Sequence, residues 1–403
     1  MFATLLATVA LCGAFNVAVD PLGIFGTPRI AGFNATKPYL DHHRDLARWQ
    51  AAHRLCPTAG IFGNSRAEIG FDPEHPGFAT LGLVAYNHAI PGTPINIALR
   101  QLHWLDDADC RPKQVIVGVD FFDFLGAPPA RVPPPAIPPA PRIDGSVFAE
   151  TVFSVTGLRD SLNTIAIQHV SHPASLSPRG FNPLLNYIPE VAQTGHYGLF
   201  RQRAQENLRS WTRKSPRIHP DNGNQSVEYA GLEAFLQDAA TMGATVHVVI
   251  YPYHAQIRLM MERAGLGQLF TEWKASVLAA AEHARSTNAD IKVWDFSGIS
   301  AETTEPIPAP GDRQTQLAYY WEAGHFKKAL GDRILDQILL DRPGFGHLLT
   351  RTSVDRWLIE DQELVTDLAS RPSGLIRDVD SLFPNTKPQQ STSASERRDR
   401  NPS

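Results

Sequence analysis

Apolar positions along this chain fall into two periods. Five short runs are almost continuously apolar and rich in β-branched residues: TAGIFGN (58–64), TLGLVAYNHA (80–89), KQVIVGVDFF (113–122), TVHVVIYPYH (245–254) and IKVWDFSG (291–298). Unbroken apolar character, rather than alternation, marks strands covered on both faces. Between them lie helical patterns such as TPINIALRQLHWLDDA (93–108) and EYAGLEAFLQDAATM (228–242). Strand and helix in alternation predict an α/β fold, a three-layer α/β/α domain around a mostly parallel five-stranded sheet in a flavodoxin-like order.

The pattern also breaks the chain into parts. Residues 1–19 carry no charge and would span roughly 28 Å as a helix, close to the hydrocarbon thickness of a bilayer. A retained membrane anchor is the reading this favours; a buried core helix and a cleaved signal remain open. Residues 20–55 read as a juxtamembrane segment with a helix in YLDHHRDLARWQAAHRL (39–55). The α/β domain then covers 56–342, interrupted by an insertion at about 125–230 that opens with LGAPPARVPPPAIPPAPR. Prolines at that density exclude a regular helix or central strand, and the insertion is expected to cap the sheet's ligand edge. A helical extension (343–383) and a disordered polar tail (384–403) complete the expected organisation.

Composition narrows the function classes. With 403 residues, 43% of them hydrophobic, the chain can bury a full core. A formal charge of −4 without a basic block argues against nucleic acid as a partner. Cys56 and Cys110 each precede a strand-like run; on neighbouring parallel strands their sulfurs would share one sheet edge. A disulfide there would contribute roughly 4 kcal/mol in the loop-entropy account, and two unpaired thiols are the alternative. No Cys/His spacing suggests a metal site, and no cofactor is implied.

In an open parallel sheet, ligands sit beyond the carboxyl ends of the strands. That rule selects Gly63-Asn64-Ser65-Arg66, Tyr86 to Gly92, Gly118-Val119-Asp120, Tyr251 to His254 and Trp294-Asp295, with Tyr320 to His325 further along. Serine is a weak nucleophile until an oriented base takes its proton. Ser65 at a strand-to-helix turn, His325 as base and Glu322 as its orienter would meet that need. Singly, each has an ordinary structural use: a helix cap, a surface histidine, a solvated charge. Asp72 reads as a turn residue, and Trp294 and Asp295 as packing and capping the fifth strand.

These residues resemble the blocks of the SGNH/GDSL-type hydrolases. Gly63-Asn64-Ser65 is similar to the family's first block. Asn87-His88-Ala89-Ile90-Pro91-Gly92 is similar to the second, whose last glycine lends an N–H to the oxyanion hole. Gly118-Val119-Asp120 falls where the third block ends in asparagine, and Glu322-Ala323-Gly324-His325 has the spacing of the acid–base block. An anchor ending in Val-Asp-Pro, a Pro-Tyr-His-Ala segment and Trp321 four residues before His325 resemble the membrane-anchored members that modify bacterial exopolysaccharide or cell wall.

The resemblance implies a serine esterase or O-acyltransferase, held in the inner membrane and facing the periplasm, acting on an acylated polysaccharide. A membrane O-acyltransferase would be its partner. Ser65 would be the nucleophile, His325 the base and Glu322 the orienter, with an oxyanion hole from Ser65, Gly92 and the position of Asp120. Arg66, Asn87, Tyr253, His254 and Trp321 would contact substrate. Two departures stand out. Glu322 replaces an aspartate, and Asp120 replaces an amide donor worth roughly 3–4 kcal/mol to the transition state. Either Asp120 is protonated, or it turns away to pair with Arg66 or His254, or catalysis is weak; the rival reading is a silent module that binds glycan or scaffolds a membrane assembly.

Overall fold

The computed structural model describes residues 1–383 apart from 40, 41, 127, 132–135, 221–224 and 286–289. The tail expected to be disordered, and part of the proline-rich run, lie outside the described residues. The five apolar runs supply strands Ala59–Phe62 (β1), Ala85–Asn87 (β2), Gln114–Val119 (β3), Thr245–Ile250 (β4) and Ile291–Asp295 (β5). They pair in parallel, in the order 2-1-3-4-5. Every residue of β1 is buried, as are all but the first of β3 and β4. Continuous apolar runs are what burial on both faces requires.

The helices that connect these strands fall into two packed groups. Helices Ile95–Asp107, Val227–Thr241 and Gly267–Ala284 form one packed group. Helix Lys328–Leu340 packs on the short helices Ser65–Gly70 and Pro76–Thr80 in a second group. The carboxyl ends of β1, β2 and β3 therefore meet at one edge, with Ile61 beside Asn87 and Phe62 beside Val117.

Two expectations about the strands are corrected. The sheet has six strands: His347–Leu349 (β8) pairs antiparallel with β5. Only Leu349 of that strand is buried, so no apolar run marks it. The second run is a strand only over 85–87. Its beginning, Thr80-Leu81-Gly82, closes a helical turn in which Gly82 takes φ +68°. Tyr320–Glu322 (β6) and His325–Phe326 (β7) form a separate small hairpin.

The insertion is not a single cap. Helices Gly145–Val152 and Val155–Ala166 pack on the N-terminal helix. Residues 176–182 run along the sheet edge, where Asn87 N–H donates to the Arg179 carbonyl at 2.9 Å. The helix Ile188–Trp211, kinked at Gly195, lies beside the β6–β7 hairpin, as does Tyr187 just before it, whose ring centre is 5.9 Å from that of Trp321.

At the other end, Phe2–Val19 is one helix, long and apolar enough to cross a membrane by length and composition, and largely unburied. Its last turn is docked: Asn16 donates to the Val152 carbonyl at 2.9 Å, and Lys37 donates to the Asp20 carbonyl at 2.6 Å.

Cys56 and Cys110 are joined, with their Cα atoms 4.9 Å apart and a sequence separation of 54. Cross-linking a loop of that size removes roughly 4 kcal/mol of unfolded-state freedom. Peptide mapping of non-reduced chain made in an oxidising compartment is expected to recover the two cysteines in one linked peptide. Separate peptides carrying free thiols would remove the bond.

Candidate active site

At the end of β1 the backbone passes through Gly63 at φ +142°. A side chain there would meet the Tyr251 hydroxyl at 2.4 Å and strain the left-handed backbone as well. Asn64 then caps the helix Ser65–Gly70, its Oδ1 accepting from Arg66 N–H at 3.1 Å. Asn64, not Ser65, is the cap. That leaves Ser65 as the first helical residue, its N–H among those without an intrahelical acceptor and its hydroxyl free for another partner.

The partner comes from far along the chain. His325 Nε2 lies 2.9 Å from Ser65 Oγ, across 260 residues of sequence. The other ring nitrogen, Nδ1, bonds Glu322 Oε1. Glu322 sits on β6 and His325 on β7, so the tight hairpin between them sets the spacing. Inside that turn, Gly324 N–H donates to Glu322 Oε2 at 2.6 Å. Arg203, from the insertion, forms an ion pair with Glu322 Oε1 at 3.2 Å.

Glu322 is only 1% exposed, and His325 is 19% exposed. Burial alone would push the Glu322 carboxyl up. The His325 ring, the Arg203 guanidinium and the Gly324 N–H together outweigh it and hold the pKa below the ordinary glutamate value. Glu322 is therefore an anion at neutral pH, able to fix the His325 tautomer and to stabilise an imidazolium. Chemically, the arrangement can move a proton from Ser65 Oγ to His325 Nε2 and return it to a leaving group.

Asp120 follows β3 and caps the helix Phe121–Phe124. Its Oδ1 accepts from the Tyr253 hydroxyl at 2.7 Å and from Phe122 N–H at 3.2 Å. The other oxygen takes Asn64 Nδ2 at 3.1 Å and forms an ion pair with Arg66. Of the two pairings expected for Asp120, Arg66 is the one made; His254 is not a partner. Asp123, one turn on, also accepts from Asn64 Nδ2 at 3.3 Å. Burial pushes its pKa up to about 6 against the pull of Arg66 and Lys214.

Three residues expected at the substrate lie instead in the protein's own framework. His254 is buried; Nε2 donates to the Glu305 carbonyl at 2.9 Å and Nδ1 accepts from Gln256 N–H at 3.1 Å. Burial lowers its pKa to about 4, so the ring is neutral. Tyr253 is buried beneath Arg66, whose guanidinium carbon lies 5.2 Å from the ring centre, and its hydroxyl is spent on Asp120 and Phe121 N–H. Asn87 ties β2 to the Ser65 helix through the Ala67 and Phe71 carbonyls at 2.9 and 2.8 Å. The strand-end rule locates such residues without telling which way they point.

Trp321 is nearly buried among Ile69, Val191 and Leu199, with Lys327 Nζ 4.5 Å above its ring. Gly92, at φ +68° in the turn after β2, is drawn towards β1 by Ile90 N–H on the Gly63 carbonyl at 3.1 Å. Asp72 is a turn residue, accepting from Glu74 N–H at 2.9 Å. Asp295 caps the end of β5 through Ser297 N–H, also at 2.9 Å. Arg203 had no signal in the sequence, since nothing marks one arginine of a long helix as facing a carboxylate more than a hundred residues away. No protein-family model, curated protein or solved structure matches this chain.

Proposed function

We propose that this chain is a membrane-anchored, SGNH-type serine esterase or O-acyltransferase acting on acyl groups of an extracytoplasmic polysaccharide. The observation that carries the reading is the contiguous Ser65–His325–Glu322 arrangement. A hydroxyl, an imidazole and an ionised carboxylate in hydrogen-bonded sequence are what acyl transfer needs, whichever fold presents them. Ser65 Oγ attacks the acyl carbonyl while its proton passes to His325 Nε2. The oxyanion is met by the N–H groups of Ser65 and Gly92. Collapse breaks the bond to the sugar oxygen, which leaves with the proton from His325. Water completes hydrolysis of the acyl-enzyme, or a sugar hydroxyl completes transfer.

Two independent features support an extracytoplasmic location. An uncharged helix of bilayer length precedes the domain, and a disulfide within it fits an oxidising compartment. Together they favour a domain held on the periplasmic side of an inner membrane, where a membrane O-acyltransferase could share its substrate. Fluorophosphonate treatment of the full chain in detergent, followed by peptide mass analysis, tests the reading. The label is expected on Ser65, and a label elsewhere, or none, would remove it.

Asp120 favours a second reading, a silent glycan-binding module, because no side-chain amide stands in its place. Four hydrogen-bonding partners hold its carboxylate, so Asp120→Asn is expected to break the Arg66 pair and cost about 1.5–3 kcal/mol of stability. Turnover is expected not to rise. A gain of an order of magnitude or more, the scale of a restored donor, would mean that the Asp120 charge faces the reacting acyl group.

A further inference from the structure

A cavity lies beside the end of the N-terminal helix, and Ser65 is not part of its lining. It encloses about 360 Å3, within the roughly 300–1,000 Å3 of small-molecule sites. Its wall includes Asp20, the residue that ends the helix, and five cations: Arg29, Lys37, Arg48, Arg54 and Arg179.

The charges do not balance. Lys37 is offset by Asp20 at 3.6 Å, Arg48 by Glu68, and Arg179 by Glu74 at 3.8 Å. Arg29 and Arg54 have no carboxylate within ion-pair distance among the described residues. Arg29 donates to the Ala35 and Leu176 carbonyls at 3.2 and 2.8 Å. Arg54 donates to the Ile24 and Gly23 carbonyls at 3.2 and 3.3 Å and to Gln50 Oε1 at 3.5 Å. The Tyr86 side chain, buried against the same wall, adds a hydroxyl donor.

Two guanidinium groups with no carboxylate in contact, sharing the single nearby charge of Asp20 with Lys37 in a concave site, match the charge and geometry of a phosphate group. Burial lowers the pKa of Arg29 and Lys37 against the pull of the Asp20 carboxylate, and a further anion in the cavity would add to that pull. Since Asp20 both ends the bilayer-length helix and lines the cavity, the site falls at headgroup level if that helix spans the membrane.

We propose that this cavity is an anion site for a phosphate group, supplied by an anionic lipid headgroup or by free phosphate. The site does not depend on the acyl-transfer reading. Its occupant would fix the domain's stance on the membrane through the residues that join helix to sheet.

The test uses the full chain in detergent, with phosphatidylglycerol and phosphatidylcholine added in turn and retention read by native mass spectrometry. Phosphatidylglycerol is expected to be retained about thirtyfold better, the factor for two basic residues at a charged surface. Inorganic phosphate should displace it. Arg29→Gln/Arg54→Gln is expected to abolish the preference. Ala51→Glu, which puts a carboxylate on the cavity wall and keeps every cation, should do the same without removing the arginines' structural bonds. Binding of inorganic phosphate, lost in both variants, without lipid preference would assign the site to free phosphate. Equal retention of the two lipids with no phosphate binding, or binding unchanged in Ala51→Glu, would overturn the proposal.

Discussion

Ser65→Ala is expected to lower turnover of short acyl esters by roughly four to six orders of magnitude and to abolish fluorophosphonate labelling. The size follows from how the three residues act together. His325 Nε2 has one acceptor role towards Ser65 Oγ, at 2.9 Å, and no other use when that oxygen is gone. His325→Ala should therefore lose nearly as much, and the double variant hardly more than either single one. Glu322→Gln is a finer probe. It keeps the shape but lets the amide face Nδ1 with the wrong tautomer, for a loss of roughly 10^4-fold. It also removes the anion that Arg203 faces at 3.2 Å. In each case kcat should fall with KM little changed, since the interactions are made in the transition state. Turnover and labelling that survive in Ser65→Ala would end the catalytic assignment of all three residues together.

How far the site was legible in the sequence depends on what kind of information each residue needed. The position of Ser65 needed only topology: an apolar run ending in glycine, then a small polar residue, then helix-forming residues. Glu322 and His325 needed a spacing of three, which a hairpin turn converts into contact. Side-chain direction was not legible. Tyr253, His254 and Asn87 all stand where strand ends meet ligands, yet their polar atoms turn inward to Asp120, Glu305 and the Ser65 helix. Period-2 reasoning fixes direction inside a strand and fails at its last residue and beyond, where caps and turns decide. Nor could the sequence place Arg203 or residues 176–182, because their contacts arise from how a long insertion folds back. The edge strand at 347–349 was missed for another reason. An edge strand with one buried residue leaves no hydrophobic signature.

The fold also contains a buried charge cluster that no spacing announces, and its removal carries the second large effect. Lys274, with a fully buried side chain, lies 2.7 Å from both Asp295 Oδ2 and Asp361 Oδ2. Arg258 completes the group, bonding the two Asp361 oxygens at 3.2 and 3.0 Å. Trp357 Nε1 donates to Asp295 at 2.8 Å, so the cluster fastens the helix Val354–Ser370 to the end of β5. Burial pushes both carboxyls up, and the neighbouring cations more than reverse it, so both are held below the ordinary aspartate range.

Lys274→Met is expected to cost about 3–5 kcal/mol at neutral pH, because it leaves Asp295 buried beside Asp361 without its cation. The sign with pH separates this cause from lost packing. In the wild-type chain the depressed carboxyls contribute stability that is complete above about pH 5 and is lost as pH falls through the unfolded value towards their folded values. In the variant the Asp295 carboxyl moves up instead, so its penalty is present at pH 7 and disappears once both states are protonated. The difference in urea midpoint between the two proteins should therefore shrink from pH 7 to pH 4. Asp295→Asn added to Lys274→Met should recover part of the loss at pH 7 and flatten the pH dependence. A difference constant across that range, with no recovery in the double variant, would show that Lys274 acts by filling space and that its charge is not what holds the C-terminal helix to the sheet.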